Sequence, residues 1–449
     1  MERSNPEGRP RVVIVGAGFG GLRTAKELAA EPVEIVLIDS NNYHRFQPLL
    51  YQVATAGLEP DEIVHPVRNI FRKQKNVRFL LGTVSAFDGD RRRLILKDGK
   101  EVAYDYLVLA AGAATNYFGI PGAAEHGFPM QGIPEALKLR NHILRQFERV
   151  ERDVLELDKG ALNFVIVGGG ATGIEMAGQL AELFRCVLKE DYRNVDTSAA
   201  RVILLEMLPE LLMPYDGALR AYARRALEKR GVEVRTETTV ERVEPDAVHL
   251  EGGERLSTRT LIWAAGIRAN TLAACIGSEQ RKDGRLVVGK DLSLPARQEV
   301  FVIGDMSGAE SDEGEPYPQL ATVAIQQGRH AARQVARLIQ GSDTEAFAYK
   351  DPGIMATIGR NAAVAQLPGG IRLKGSVAWL MWAFVHIYKL VGFRNRIDVF
   401  LNWVYNYATF NFSARIILDG VPAVSDDEDG DPGSDGRPRS HGAEAVGSE

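Results

Sequence analysis

Two groups of three glycines stand at the same spacing in this chain: Gly16, Gly18 and Gly21 in "GAGFGG", and Gly168, Gly170 and Gly173 in "GGGATG". The first glycine of such a triplet permits a tight turn, the second lets backbone approach a pyrophosphate, and the third lets a helix pack closely on a strand. A phosphate held there lies at a helix N-terminus, where free N–H groups and the helix dipole favour an anion. Each unit closes on a carboxylate. Asp39 follows Gly16 by 23 residues and Glu206 follows Gly168 by 38, each suited to accept from a ribose 2′-hydroxyl. The expectation is two dinucleotide sites, the second repelling a 2′-phosphate through Glu206 and so preferring NADH to NADPH.

The elements needed to position these residues can be read beside them. "RVVIV" and "VEIVLID" flank a helical "LRTAKELAAE", and "LNFVIV" and "ARVILLE" repeat the arrangement, with a longer helix and loop over residues 174–200. Three further apolar strands, "YDYLVLAAGAATN", "RTLIWAAGIRAN" and "EVFVIGDMS", bring backbone to a strand's C-terminal edge, where ligands collect in open α/β sheets. The expected fold is α/β: two Rossmann-like dinucleotide-binding domains plus a C-terminal amphipathic helical membrane-associating region. The first domain is expected over 10–120 and 276–350, a connection and helix over 121–160, the second domain over 161–275, the C-terminal region over 351–420, and a disordered acidic tail over 421–449.

Composition narrows the chemistry. Cys186 and Cys275 are the only cysteines, which excludes a disulfide framework, a CxxC redox pair and a thiolate zinc site; no metal site is expected. The net charge is −5 without a basic–aromatic cluster in the main body, which argues against nucleic acid. The polar "MERSNPEGRP" runs straight into a strand without a signal-peptide core, and a reducing intracellular setting is expected.

The C-terminal third carries an unusual concentration of rings. Residues 376–412 hold 11 of the 34 aromatic residues and three of the four tryptophans, and residues 371–420 carry six basic residues against two acids. A first helix is expected over 377–391, too short and polar to span a bilayer. In a second, over 397–410, Asp398, Asn402 and Asn406 form one stripe and Phe400, Leu401, Val404 and Ala408 another. Such helices lie in a membrane interface, with tryptophans at headgroup level and Arg372, Lys374, Lys389, Arg394 and Arg396 toward an anionic leaflet. The alternative is that they pack on the body or against a second copy of the chain as a homodimer.

Together "NYHRFQPLLYQVATAGL", "AAGAATNYFGIPG", "GGGATGIE", "IWAAGIRAN", "VIGD" and "FVHIYKLVGFRNR" resemble the type II NADH dehydrogenases, the non-proton-pumping NADH:quinone oxidoreductases of the two-dinucleotide-binding-domain flavoprotein superfamily. The resemblance covers about residues 10–420. It implies FAD on Gly16, Gly18, Gly21, Asp39, Arg45, Gln47, Ala111, Gly112 and Asp305, and NADH as substrate on Gly168, Gly170, Gly173, Glu206 and Gly266. It implies proton supply to a membrane quinone through Glu175, which lies about 200° around its helix from Gly173; the bland alternative is a solvated stripe of Glu175, Gln179 and Glu182.

The same resemblance puts Lys389, Trp379 and Trp382 on the quinone and membrane side. It also points to "LATVAIQQG", where Gln326 matches the family's AQxxxQ pattern and Thr322 replaces its first glutamine. Where disulfide reductases carry cysteines this chain has "HRFQPLLYQ", so electrons must leave the flavin without a thiol relay. The implied enzyme is peripheral to the cytoplasmic face of the membrane. Rival readings are an NAD(P)H reductase of a specialised naphthoquinone or soluble acceptor, and a low-turnover NADH-binding redox sensor.

Overall fold

The computed structural model describes residues 8–409, 412 and 414–418. Chain contacts divide it into Met1–Ile416 and Ile417–Glu449, and the account below concerns the first unit. The acidic tail lies outside the described residues, as does Phe410 at the end of the second expected helix.

The first glycine loop belongs to a six-stranded sheet ordered Ser293–Leu294, Arg297–Val302, Tyr106–Leu109, Arg11–Val15, Glu34–Asp39 and Val77–Leu81. Apart from the antiparallel Ser293–Leu294 edge, its pairs are parallel. Val12 to Ile14 and Ile35 to Ile38 are buried because one face is covered by the helices Phe19–Glu27 and Ala321–Ile339 and the other by a separate apolar cluster. The two helices cross on glycine. A Cβ on Gly328 would meet the Gly20 carbonyl oxygen at 2.4 Å, and Thr24 Oγ1 donates to the Gly328 carbonyl at 3.1 Å.

The second glycine loop belongs to a parallel sheet ordered Gly127–Pro129, Thr260–Trp263, Asn163–Val167, Arg201–Leu205 and Val232–Arg235. Both sheets reverse strand order at their glycine-loop strand, which is where an open α/β sheet leaves a crevice for a ligand. A short antiparallel ribbon, Ala113–Thr115 against Ile267–Ala269, joins the two. It leaves the first sheet just after Gly112 and the second just after Gly266.

The C-terminal region is a three-stranded meander, Ile354–Gly359, Ala362–Leu367 and Ile371–Lys374, followed by helices Gly375–Lys389 and Phe393–Thr409. It shares one core with the helix Ala171–Glu182 and with the segment containing Phe46, Leu49, Leu50 and Tyr51. The approach is close: a Cβ on Gly178 would stand 2.0 Å from the Ile358 carbonyl oxygen.

The two stripes of the last helix face opposite ways. In Phe393–Thr409 the polar stripe points inward: Asn402 donates to Glu62, Asn406 to the Gly57 carbonyl at 3.2 Å, and the buried Asn395 to the carbonyls of Asp61, Glu62 and Val64 at 2.8, 3.0 and 3.0 Å. These carboxamides satisfy the carbonyls of Gly57, Asp61, Glu62 and Val64. The apolar stripe is left outside, with Phe400, Leu401 and Val404 exposed and continuous in kind with Val377, Leu380, Phe384 and Tyr388 on the preceding helix. The tryptophan expectation is corrected for Trp382. Trp382 is 1% exposed, stacked between His386 and Trp403, so its ring does not belong to a headgroup layer, whereas Trp379 is partly buried with its ring edge on Tyr407. No helix among the described residues is long and apolar enough to cross a membrane.

Candidate active site between two glycine cradles

The two glycine loops are built alike. Gly16 has φ +106° and Gly168 φ +111°, and a Cβ on either would strike backbone of the neighbouring strand's end, Ala110 O at 2.2 Å or Ala265 N at 2.8 Å. Gly21 and Gly173 each bring a helix so near that a Cβ would lie 1.8 Å from the carbonyl of Gly16 or Gly168. Gly18 and Gly170 differ from these. They are the N-caps of helices Phe19–Glu27 and Ala171–Glu182, in extended conformation, with no atom near the place of a Cβ. Space open above a helix N-terminus is what a pyrophosphate requires, so the residues present fit FAD in one cradle and NADH in the other.

The carboxylates brace the loops as well. Asp39 accepts from the backbone N–H of Ala17 at 2.6 Å and of Asn41 at 2.7 Å. Glu206 repeats this with Gly169 at 2.6 Å and Leu208 at 2.8 Å. A carboxylate offers about four acceptor positions, so each keeps room for a ribose hydroxyl beside these partners, Asp39 also receiving the Asn41 side-chain amide at 3.5 Å. His44, buried and holding the Ala17 carbonyl at 2.9 Å through Nδ1, supports the first loop. Burial drives its pKa down to about 4, and it is a neutral brace. Sequence reading missed it; its place in the strand Tyr43–Arg45 beside the loop is set only by the pairing with Val64–Pro66.

Ala111, Gly112 and Asp305 come together at the ends of adjacent strands, since Leu109 pairs with Val302. Ala111 N–H faces the Met306 sulfur at 3.3 Å, and Asn270 reaches back to the Ala111 carbonyl at 3.2 Å. Asp305 lies in a turn whose Gly304 N–H donates to the buried Gln327 at 2.7 Å; burial raises its carboxyl and Arg285 partly offsets this. Gln327, adjacent to the expected Gln326, is the glutamine that the helix turns toward the sheet. Arg45 donates to Gln47 at 2.5 Å, and Gln47 to the Met130 carbonyl at 3.1 Å, which ties the first unit to the ligand edge of the second sheet.

Thr322 and Gln326 have partners elsewhere. Thr322 meets the Tyr349 hydroxyl at 2.9 Å, and Gln326 makes a two-bond pair with the Lys350 backbone at 2.8 and 3.0 Å. These residues therefore fix the segment that leads into strand Ile354–Gly359.

Glu175 is not part of a solvated stripe. The meander lies over it: the Thr357 N–H donates to its carboxylate at 3.3 Å, and the Trp382 indole faces it while its N–H finds no well-formed bond. Desolvation pushes its pKa up to about 8 against those two contacts. Tyr51 is raised well above its ordinary value, first by burial and then by the nearby Glu175. Tyr51 accepts from Gln52, which in turn accepts from Trp403 at 2.8 Å. Glu182, two turns further, accepts from the Arg360 N–H at 2.5 Å and is likewise raised by burial. Lys389 is exposed at the end of its helix, its ammonium lowered by partial desolvation. The two cysteines are free and exposed.

A sequence model of the pyridine nucleotide-disulphide oxidoreductase family matches residues 10–328, and one of the NDH2 C-terminal domain matches residues 352–409. The chain is 38% identical over 431 residues to the type II NADH:quinone oxidoreductase Ndh of Mycobacterium tuberculosis, covering 93% of this chain and 92% of that one. It is 41% identical over 420 residues to NdhA of the same organism, covering 90% and 88%. Among solved structures it is similar to NDH2 from Plasmodium falciparum in complex with NADH, at a TM-score of 0.82 and 20% identity, over 92% of this chain and all of that one. The duplicated cradles, the meander laid over Glu175 and the full-length likeness lead to one statement: the chain belongs to the type II NADH:quinone oxidoreductase family.

Proposed function

We propose that this chain oxidises NADH and reduces a quinone through bound FAD, with the quinone arriving from a membrane surface on which the C-terminal helices rest. Bound FAD supplies the two-electron relay between the two substrates. The observation that carries the reading is the pair of equivalent cradles joined by the ribbon Ala113–Thr115 with Ile267–Ala269, three residues or about 10 Å long, which holds the ligand edges of both sheets at dinucleotide reach.

Gly18 and Gly170 admit the two pyrophosphates, and Asp39 and Glu206 accept from the ribose hydroxyls while fixing the loops. Arg45, Gln47, Ala111, Gly112 and Asp305 border the first cradle, and Gly266 the nicotinamide end of the second. Thr322 and Gln326 act as positioning residues for the strand that covers Glu175. Quinone reduction consumes two protons with its two electrons, and a carboxyl held protonated near neutral pH by burial is suited to give one. Trp382 and Lys389 belong to that side.

Exposed Val377, Leu380, Phe384, Tyr388, Phe393, Phe400, Leu401 and Val404 form the lipid-facing surface. Leaving such side chains in water costs on the order of 1 kcal/mol each when half exposed, and a bilayer interface removes that cost. The cytoplasmic side is favoured because NADH is made there. A second copy of the chain is the alternative cover for part of this face.

The test is an anaerobic titration of the purified, FAD-loaded protein. NADH should bleach the flavin absorbance in one equivalent, and a ubiquinone or menaquinone analogue should restore it at a rate matching steady-state turnover. A flavin that stays reduced with every quinone tried would leave only the redox-sensor reading.

A further inference from the structure

Phe118 combines two features that a folded chain ordinarily avoids. Its backbone lies in the left-handed region at φ +53°, and the residue is 59% exposed. A bulky residue with positive φ costs about a kilocalorie or more, and residues held that way concentrate at functional sites.

The turn that holds it is firmly built. Asn116 Oδ1 accepts the Phe118 N–H at 2.9 Å, the Trp263 indole donates to the Asn116 carbonyl at 2.9 Å, and Tyr117 packs on Trp263 with ring centroids 5.4 Å apart. The Asn116 N–H donates in turn to the Gly266 carbonyl at 3.2 Å. The ring therefore does not hang loose; it is presented over one place, Gly266, where a Cβ would stand 2.3 Å from Phe118 Cζ and 2.5 Å from Cε2. Gly266 itself has φ +65°.

That place is the outer end of the second crevice. The strand Thr260–Trp263 borders Asn163–Val167 at the switch point of the second sheet, its end at Ala264 and Ala265 lies against Gly168 of the glycine loop, and Gly266 is the next residue. The inner end of the same ribbon touches the first crevice, through Asn270 and the carbonyls of Ala111 and Gly112. A dinucleotide whose pyrophosphate sits at Gly170 and whose reactive ring is aimed at the first crevice must pass its nicotinamide along this ribbon, beside the exposed phenyl.

We infer that Phe118 is the apolar wall against which the nicotinamide ring of NADH packs, so that Gly266 is a glycine to admit the phenyl and the backbone strain at Phe118 is spent on presenting it. The inference rests on the second cradle being the NADH site. An aromatic face packs well on a planar heterocycle and excludes water from it, and a ring already fixed by its turn loses little entropy on binding.

The test compares NAD⁺ with ADP-ribose, which keeps every part of the dinucleotide except the nicotinamide, by titration calorimetry on the FAD-loaded full chain. Phe118→Ala should weaken NAD⁺ about tenfold and leave ADP-ribose within twofold, with the KM for NADH rising in parallel and the KM for quinone unchanged. Phe118→Gly suits the positive φ and keeps the turn, so it should show the same loss without loss of thermal stability. Phe118→Tyr should retain wild-type affinity. Equal loss of both ligands would make Phe118 a purely structural residue, and unchanged NAD⁺ affinity would remove the wall; either result overturns the inference while leaving the NADH site intact. Failure of wild-type protein to bind ADP-ribose or NAD⁺ would instead sink the assignment of the second cradle, and the wall with it.

Discussion

Glu175 shows how one side chain's role is decided by what covers it. Its sequence neighbourhood, with Gln179 and Glu182 at helical spacing, is that of an ordinary wet helix face. The strand Ile354–Gly359 lies on that face instead, and with only the Thr357 N–H and a poorly aligned indole for company the carboxyl is raised to about 8. The sign of the linkage follows. Between its ordinary 4.5 and about 8 the native chain keeps a proton that the unfolded chain releases, so this group makes stability fall as pH rises through that window. Glu175→Gln should flatten that fall, read as urea midpoints at pH 5 and pH 8.5 compared with wild type. The same variant should slow quinone turnover tenfold or more while leaving flavin reduction by NADH unchanged in stopped flow. Equal effects on both half-reactions would remove Glu175 from the quinone side.

At the scale of elements, each glycine loop divides its labour between packing and binding, and the division can be tested by substitution. Gly21→Ala puts a methyl 1.8 Å from a carbonyl oxygen where helix meets loop, a clash that no side-chain movement relieves. It should give protein that is insoluble or destabilised by several kcal/mol, on the order of an overpacked core. Gly18→Ala meets open space at φ −71° and should fold with an unchanged melting temperature in the flavin-free state, yet retain far less FAD after gel filtration. Similar behaviour of the two variants would mean that the open space over Gly18 is not the phosphate seat. The glycine spacings, the strands and the closing acids were all legible in the sequence, because local backbone geometry dictates them. His44 and Gln327 were not, since a buried brace has no pattern of its own and acquires its partner, the Ala17 carbonyl or the Gly304 N–H, only when distant segments meet.

For the whole molecule the main consequence lies in the last helix, whose inner face mixes asparagines with Val399 and Trp403 and whose outer face is apolar. Asn395, Asn402 and Asn406 turn inward beside the buried Val399 and Trp403 to satisfy the carbonyls and carboxylate of the segment 57–64, while Phe400, Leu401 and Val404 remain outside. A triple substitution, Phe384→Glu, Leu401→Glu and Val404→Glu, alters only exposed positions and should change stability by no more than about 1 kcal/mol. It should nevertheless move the protein from pellet to supernatant when it is sedimented with vesicles containing anionic lipid. Retention on the vesicles would assign the face to a second copy of the chain or to some other cover. The sequence by itself determined two glycine cradles, their order and the acid that closes each, because each follows from residue types at short spacing. Tertiary structure alone decided which stripe of the last helix is wet, that Trp382 is buried against Glu175, that the Glu175 carboxyl is desolvated, and that Phe118 stands over Gly266. Those are contacts between residues tens to hundreds of positions apart, and no local periodicity encodes which surface will cover which.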